Sequence, residues 1–264
     1  MITFGDYIRP KSVEEAYENL KSKKNATLIG GGCYIRMGNR RIGLAIDLCD
    51  AGLNFINEYE DTVEIGAMTT LRELETSEIL ANSFGKMISN SVKHIIGVQL
   101  RNIATIGATV FSKYGFSDPI TALLALDAEL VLYNSGKIKL EEYLKEECRR
   151  RDILEKIILN KGIDNAAFKS LRNSQVDYAI LNAAVSKQDG KYRIAVGARP
   201  RTAALAYKAM EYINSNEINE ESAYKAGEIA SEELVFGSNT RGSAEYRREL
   251  CKVLVKRAIM EVEA

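Results

Sequence analysis

Ala104-Thr105-Ile106-Gly107-Ala108-Thr109-Val110-Phe111-Ser112-Lys113-Tyr114-Gly115-Phe116-Ser117-Asp118 is the stretch from which the rest of the chain is best read. Small and hydroxylated residues (Thr105, Gly107, Ala108, Thr109, Ser112) are interleaved with apolar Ile106, Val110 and Phe111. Little side chain stands between such a backbone and a flat or phosphorylated ligand. Ser117-Asp118-Pro119 then runs into an apolar segment, 120–126, which reads as a helix start with Asp118 at the N-cap and Pro119 at the first helical position. On spacing alone the stretch is a strand, a loop and a capped helix.

Upstream, Ser12 and Glu15 form a capping box ahead of the apolar stripe Val13, Ala16, Tyr17, Leu20. A short strand at 27–29 ends in Gly30-Gly31-Gly32, and 42–48 reads as a parallel strand. Gly30-x-Gly32 with Asp47 imitates a dinucleotide fingerprint. Ile35 stands at its sixth position, however, and 33–41 is too short for a crossover helix, so the Rossmann reading is rejected. Consecutive glycines still offer backbone N–H groups to a pyrophosphate in any fold. Residues 62–67 alternate as a strand, Thr70 and Glu73 cap a helix to about residue 80, and 84–96 is a further helix.

Downstream, 129–133 and 137–140 flank Asn134-Ser135-Gly136 as a hairpin, 141–151 is a charged surface helix or loop, and 153–159 is a strand. From residue 166 the texture changes. A strand at 167–171, a helix at 176–186, a turn at Asp189-Gly190, a strand at 192–197 and a run of helices ending over 245–262 complete the chain.

Composition narrows the functional classes. Lys+Arg and Asp+Glu are equal at 36 each, so no global field draws in nucleic acid or an anionic membrane. The local basic clusters 21–24, 36–41 and 149–151 are expected as solvated faces or contact patches. Cys33, Cys49, Cys148 and Cys251 lie far apart, which gives this chain neither an iron–sulfur nor a zinc motif. The sole histidine, His94, makes no multi-histidine metal site or triad and is expected at the surface or as a cap. No apolar run reaches membrane-spanning length and the start has no basic-then-apolar leader, so a cytoplasmic protein is expected.

Several segments together resemble the flavoproteins of the xanthine dehydrogenase and carbon monoxide dehydrogenase family. Ala104-Thr105-Ile106-Gly107, Ser117-Asp118 and Leu123-Leu124-Ala125-Leu126-Asp127-Ala128 match that family's Ala-Thr-Ile-Gly-Gly-Asn-Ile, Ser-Asp and Leu-Leu-Ala-Leu-Asp-Ala. The run 65–74 is similar to its Ile-Gly-Ala-x-Thr segment, and 28–35 to its glycine loop. Lys169 to Ala179 is similar to its Lys-x-x-x-Arg-x-x-x-Asp-x-Ala, and Tyr246-Arg247-Arg248 to its closing motif. Ala108, Thr109, Cys33 and Tyr34 depart from the usual residues, and Arg172 stands one place early.

The resemblance implies an α+β chain: a two-lobed FAD-binding domain of the vanillyl-alcohol-oxidase-like (PCMH) type, lobes 1–55 and 56–162, then an α/β C-terminal domain of antiparallel strands and helices, 163–264. It implies FAD held by Leu28, Ile29, Gly30, Gly31, Gly32, Cys33, Tyr34 and Ile35, with Thr105, Ile106, Gly107, Ala108 and Thr109, around the pyrophosphate and ribityl. Asp118 would be the flavin-contacting acid, Leu154 would face the ring system, and Lys169 would place positive charge near the reduced flavin. Partners are implied on separate chains, an iron–sulfur subunit and a molybdopterin-binding subunit, with electrons passing to NAD or another acceptor. Two alternatives stay open: a stand-alone two-lobed FAD oxidoreductase, and a structural subunit that has lost flavin.

Overall fold

The computed structural model describes residues 1–146 and 150–264. The expectations that fall on Cys148 and Arg149 lie outside the described residues. The chain is α+β, built on three sheets among the described residues. In the first, β1 (Thr3–Ile8), β2 (Ala26–Ile29) and β3 (Arg41–Asp47) run parallel in the order β1-β3-β2, with α1 (Val13–Ser22) crossing from β1 to β2. Ser12 accepts the Glu15 N–H at 3.1 Å, while the Glu15 carboxylate reaches past the cap to the Lys11 N–H at 2.8 Å. Strand β1 has no counterpart in the expectations above. Its side chains are exposed along most of its length, so it carries no alternation to find.

The second sheet is antiparallel: β4 (Ile56–Glu58), β5 (Thr62–Gly66), β6 (Glu129–Leu132), β7 (Gly136–Lys139) and β8 (Leu154–Asn160), in the order β4-β5-β8-β6-β7. Between β5 and β6 lie six short helices: α2 (Leu71–Thr76), α3 (Glu78–Phe84), α4 (Met87–Val92), α5 (Val98–Arg101), α6 (Ile106–Phe111) and α7 (Asp118–Ala125). The Thr70–Glu73 capping box closes in both directions. The single helix expected to residue 80 is broken at Ser77, which caps α3, and the helix expected over 84–96 shrinks to α4 because Gly85 turns left-handed at φ 58°.

Two corrections concern the central stretch. The segment expected as a strand is the helix α6, with Thr105 as its N-cap accepting the Ala108 N–H at 3.4 Å. Asp118 is not an N-cap. Helix α7 begins at Asp118, Ser117 holds the cap position, and the Asp118 carboxylate points elsewhere.

After α8 (Leu140–Lys145) and β8 comes the third sheet, of β9 (Ile163–Arg172), β10 (Ala179–Gln188), β11 (Lys191–Gly197) and β12 (Ala204–Leu205), antiparallel in the order β12-β11-β10-β9. Helices α9 (Tyr207–Asn214), α10 (Glu220–Glu233) and α11 (Ala244–Glu263) complete the chain. The helix expected over 176–186 is the strand β10. Both its faces are covered: Leu181, Ala183 and Val185 join the core that includes α11, whereas Ala184 belongs to the other large core and Ser186 bonds the Ala125 carbonyl of α7. A strand buried on both sides shows no alternation and resembles a buried helix in sequence. Asp189-Gly190 closes β10 to β11 with both φ values positive, 49° and 72°, as a two-residue hairpin requires. Among the described residues no helix is long and apolar enough to cross a membrane.

Candidate functional site

The loop 30–35 follows β2 and faces α6. Gly31 and Gly32 both adopt left-handed backbone, φ 72° and 69°. At Gly31 a Cβ would lie 1.7 Å from the Ile103 carbonyl oxygen, so this residue has to be glycine for the loop to seat on the helix entry. Gly30 is packed almost as closely, its missing Cβ 2.8 Å from Thr105 Oγ1 and 3.3 Å from the Ala108 methyl. Among the described residues, none accepts a hydrogen bond from the N–H groups of Gly31, Gly32, Cys33 and Tyr34. Four neighbouring backbone donors without acceptors, bare of side chain at two positions, make a concavity suited to phosphate oxygens.

The opposite wall is anchored through the backbone. Leu71 N–H bonds Ala104 O at 2.8 Å, Ile106 N–H bonds Thr69 O, and Gly107 N–H bonds Ala67 O, both at 2.9 Å. A Cβ on Gly107 would stand 2.5 Å from that Ala67 oxygen, so the motif glycine secures close helix–loop contact. Ala108, where the family has a second glycine, sits inside α6 without a positive φ, so a methyl is accommodated without backbone strain. Thr109 donates from Oγ1 to Ser117 Oγ at 2.8 Å and ties α6 to the start of α7.

The floor is an ion pair that sequence reasoning did not assemble. Asp118, 3% exposed, accepts from Arg172 Nη2 on one oxygen and from Asn182 Nδ2 on the other. Thr121 Oγ1 donates to Asn182 Oδ1 at 2.9 Å, and the absence of a side chain at Gly197 leaves room for both. Burial pushes the Asp118 carboxyl above the ordinary range, against the Arg172 guanidinium and the Asn182 amide, which pull it down. Arg172 Nη1 bonds the Asp177 carbonyl at 2.7 Å, while its buried Nε has no partner.

Four aromatic rings from three segments line one side of the cleft. Tyr34 lies 5.2 Å from Tyr114 and 5.6 Å from Phe116, Tyr114 stacks on Phe116 at 4.9 Å, and Phe116 meets Tyr178 edge-on at 4.7 Å. The Tyr34 and Tyr178 hydroxyls are 2.8 Å apart. Burial and this bond push the Tyr34 phenol well above its usual range. Cys33, buried at the loop, has its thiol pushed up by burial.

Of the expected residues, Leu28, Gly30, Gly32, Cys33, Tyr34, Ile35, Thr105, Gly107, Ala108, Thr109, Asp118 and Leu154 all line this cleft. Ile29 and Ile106 are buried in the cores behind it, and Gly31 packs against the Ile103 carbonyl. Lys169 is a correction. It does not line the cleft, and its ammonium pairs with Glu261 on α11. Lys169 and Arg172 are three residues apart on β9 and so point to opposite faces of the sheet. Among the described residues the cation lining the cleft is Arg172. Strand parity was the signal available for it, once the Asp118 side was known to be the cleft. Among the described residues no group of acids, histidines and cysteines is arranged to hold a metal.

The residues present fit FAD: a glycine cradle with unpaired donors, an apolar and aromatic wall, and a buried orphan N–H. The model of the FAD binding domain in molybdopterin dehydrogenase matches residues 2–161, and that of the CO dehydrogenase flavoprotein C-terminal domain matches 166–262. The chain is 28% identical to the uncharacterised Escherichia coli K12 protein YgfM over 94% of this chain and 93% of that one. It is 26% identical to the nicotine 6-hydroxylase medium subunit of Paenarthrobacter nicotinovorans over 98% and 97%. In structure it superposes on reconstituted CO dehydrogenase from Oligotropha carboxidovorans with TM-score 0.89 at 25% identity, covering 99% of this chain and 98% of that one. With both family models in register along nearly its whole length, the chain belongs to the FAD-binding subunits of the molybdenum hydroxylase dehydrogenases and is an FAD-dependent oxidoreductase subunit.

Proposed function

We propose that this chain is the electron-transfer flavoprotein of a molybdenum hydroxylase complex, taking electrons from iron–sulfur clusters on one separate chain, fed by a molybdopterin-binding subunit on another, and delivering them to NAD or a different acceptor in the cytoplasm. Its FAD-binding part would be the two-lobed PCMH type, lobes 1–55 and 56–162, with 163–264 packed against them. The observation that carries the reading is the glycine loop, whose N–H groups find no acceptor among the described residues and which lines, with α6, a cleft floored by Asp118 and Arg172.

FAD bound there would supply reversible two-electron and one-electron redox chemistry. The chain's own part is to bind, orient and shield. The N–H groups of Gly31 to Tyr34 would hold the pyrophosphate, Thr105 and Thr109 would border the ribityl, and Leu154 with the four aromatic rings would exclude water from the ring system. Asp118, fixed by Arg172 and Asn182, would set a hydrogen-bonding edge that does not shift when the cofactor is loaded.

Acid precipitation of the purified chain should release all yellow colour, and mass spectrometry of the supernatant should show FAD. Colour retained on the precipitate, or FMN alone, defeats the cradle assignment. Supplied with NADH, the isolated chain should at most reduce an artificial dye, and hydroxylation of an organic substrate should need the partner chains. Turnover of an organic substrate by the single chain would replace this reading with a stand-alone flavoenzyme.

A further inference from the structure

A second cavity lies between α8 and the segment joining β11 to β12. Glu141, Lys145, Arg199, Arg201, Thr202 and Tyr207 line it. Arg199 is 8% exposed, yet among the described residues its only acceptor is the Val235 carbonyl, bonded from Nη1 at 2.5 Å. Its Nε is buried without a partner, and among the described residues neither Nε nor Nη2 finds an acceptor and no carboxylate pairs with the group.

Arg247 shows how this same fold satisfies a buried guanidinium. It is fully enclosed and donates to the carbonyls of Ile180, Gly237 and Gly242 and to Asn239 Oδ1. Arg199, nearly as deep, lacks that shell. Burying a charge without pairing or full hydrogen bonding is costly, and the cost grows with a second cation alongside. Arg201 is that second cation. It too pairs with no carboxylate among the described residues, whereas the cavity's remaining charges cancel, Lys145 to Glu141 at 2.7 Å. Arg199, Arg201 and Thr202 therefore line one cavity together, and among the described residues neither guanidinium is compensated by a carboxylate.

We propose that this cavity binds a phosphate group, with Arg199 and Arg201 as its ligands. A phosphate monoester carries about −1.5 to −2 charges near neutrality, which matches two guanidiniums without a carboxylate, and its oxygens can accept from Arg199 Nη2 and from the N–H fork of Arg201. A single carboxylate would leave one arginine uncompensated. The site adjoins the cleft through one loop: at Gly115, between cleft-lining Tyr114 and Phe116, a Cβ would lie 3.1 Å from the Arg201 backbone.

The test uses the full chain loaded with FAD, so that the glycine loop is occupied, titrated at constant ionic strength with inorganic phosphate, with AMP, and with acetate. Phosphate should raise the melting temperature saturably, and acetate should not. Arg199 also holds the Val235 carbonyl, so its replacement reports on folding, and exposed Arg201 gives the cleaner variant. Arg201→Ala should weaken phosphate binding at least about tenfold. AMP binding tighter than inorganic phosphate, and equally sensitive to Arg201→Ala, supports the site with a nucleotide as the source. Tighter binding of the free anion supports it with inorganic phosphate as the source. The proposal is overturned by no saturable response, by an equal response to acetate, or by a phosphate response undiminished in Arg201→Ala.

Discussion

The Ser-Asp-Pro step read Asp118 as an N-cap, only the family resemblance marked it as a flavin-contacting acid, and neither disclosed its partners. Arg172 and Asn182 lie 54 and 64 residues away, and only the pairing of β9 with β10 beneath α7 brings them to one carboxylate. A buried pair broken from one side leaves the other charge unpaired, which costs about 3–5 kcal/mol. Asp118→Asn should therefore destabilise the chain by that order in urea unfolding, far beyond the ~1 kcal/mol of a lost cap. Flavin content should fall with it, and Arg172→Met combined with Asp118→Asn should recover part of the stability. A loss below about 1 kcal/mol in the single variant would contradict the ion pair. Glu75 gives the pH counterpart. Burial works against its charge, but the hydrogen bonds from Arg101 and Arg72 prevail and hold its carboxyl below the ordinary range. A depressed carboxyl contributes stability that is fully present above its unfolded pKa, 4.5, and is lost as pH falls through the lowered folded value. The urea midpoint should drop as pH is lowered from 5 towards about 3, and Glu75→Gln should flatten part of that slope. An identical slope in the variant would remove Glu75 from the account.

At the scale of elements, the glycine loop separates two effects that glycine usually combines. Gly31 is held both by its φ of 72° and by the Ile103 carbonyl, 1.7 Å from where a Cβ would stand, whereas Gly32 has a left-handed φ but no close backbone neighbour. Gly32→Ala should cost roughly 1–2 kcal/mol in the stripped chain, where left-handed backbone is the only penalty, and lose less flavin than Gly31→Ala. Gly31→Ala has to move the loop off the helix entry and should lose FAD; equal flavin content in the two would refute this geometry. The loop itself was legible, since triple glycine after a short apolar run admits few readings. The Thr70–Glu73 box, the Asn134-Ser135-Gly136 hairpin and the long last helix were legible for the same reason, each being specified by local chemistry. Strand β10 was not. Its Ala-Ile-Leu-Asn-Ala-Ala-Val-Ser run is enclosed by α7 on one side and α11 on the other, so burial erased the periodicity that distinguishes strand from helix. Exposure did the same for β1 from the opposite direction. The six-residue α6 was missed because residues chosen for close approach, Thr105, Gly107 and Thr109, are poor helix formers held there by the backbone of 67–71.

At the scale of the whole molecule, the cleft is where the three sheets' surroundings meet, and few side chains join them. Arg151 donates from Nε to the Leu20 carbonyl at 3.1 Å and from Nη1 to that of Lys24 at 3.2 Å, closing the C-terminal end of α1 from the segment leading into β8. The basic cluster expected as a solvated face or contact patch thus contributes, through Arg151, a contact between the first and second sheets. The Tyr34–Tyr178 hydroxyl pair spans from the loop after β2 to the start of β10, and Arg172–Asp118 from β9 to α7. A cofactor held by the loop after β2, by α6 and by the Asp118 edge would touch all of these units together. Binding only the folded chain, it should stabilise by about 4 kcal/mol at a thousandfold excess over Kd, or roughly 8–16 °C in melting temperature for a chain of this size. Stripping FAD should lower the melting temperature by that amount, and readdition should restore it. Arg151→Ala, which frees the end of α1, should cost about 1 kcal/mol in the stripped chain. With FAD bound the same substitution should cost less than in the stripped chain, because the cofactor then carries the link between the first two sheets. If FAD leaves the melting temperature unchanged, or if Arg151→Ala weakens the loaded and stripped chains equally, the cofactor does not bridge these units and the cleft has been assigned to the wrong walls.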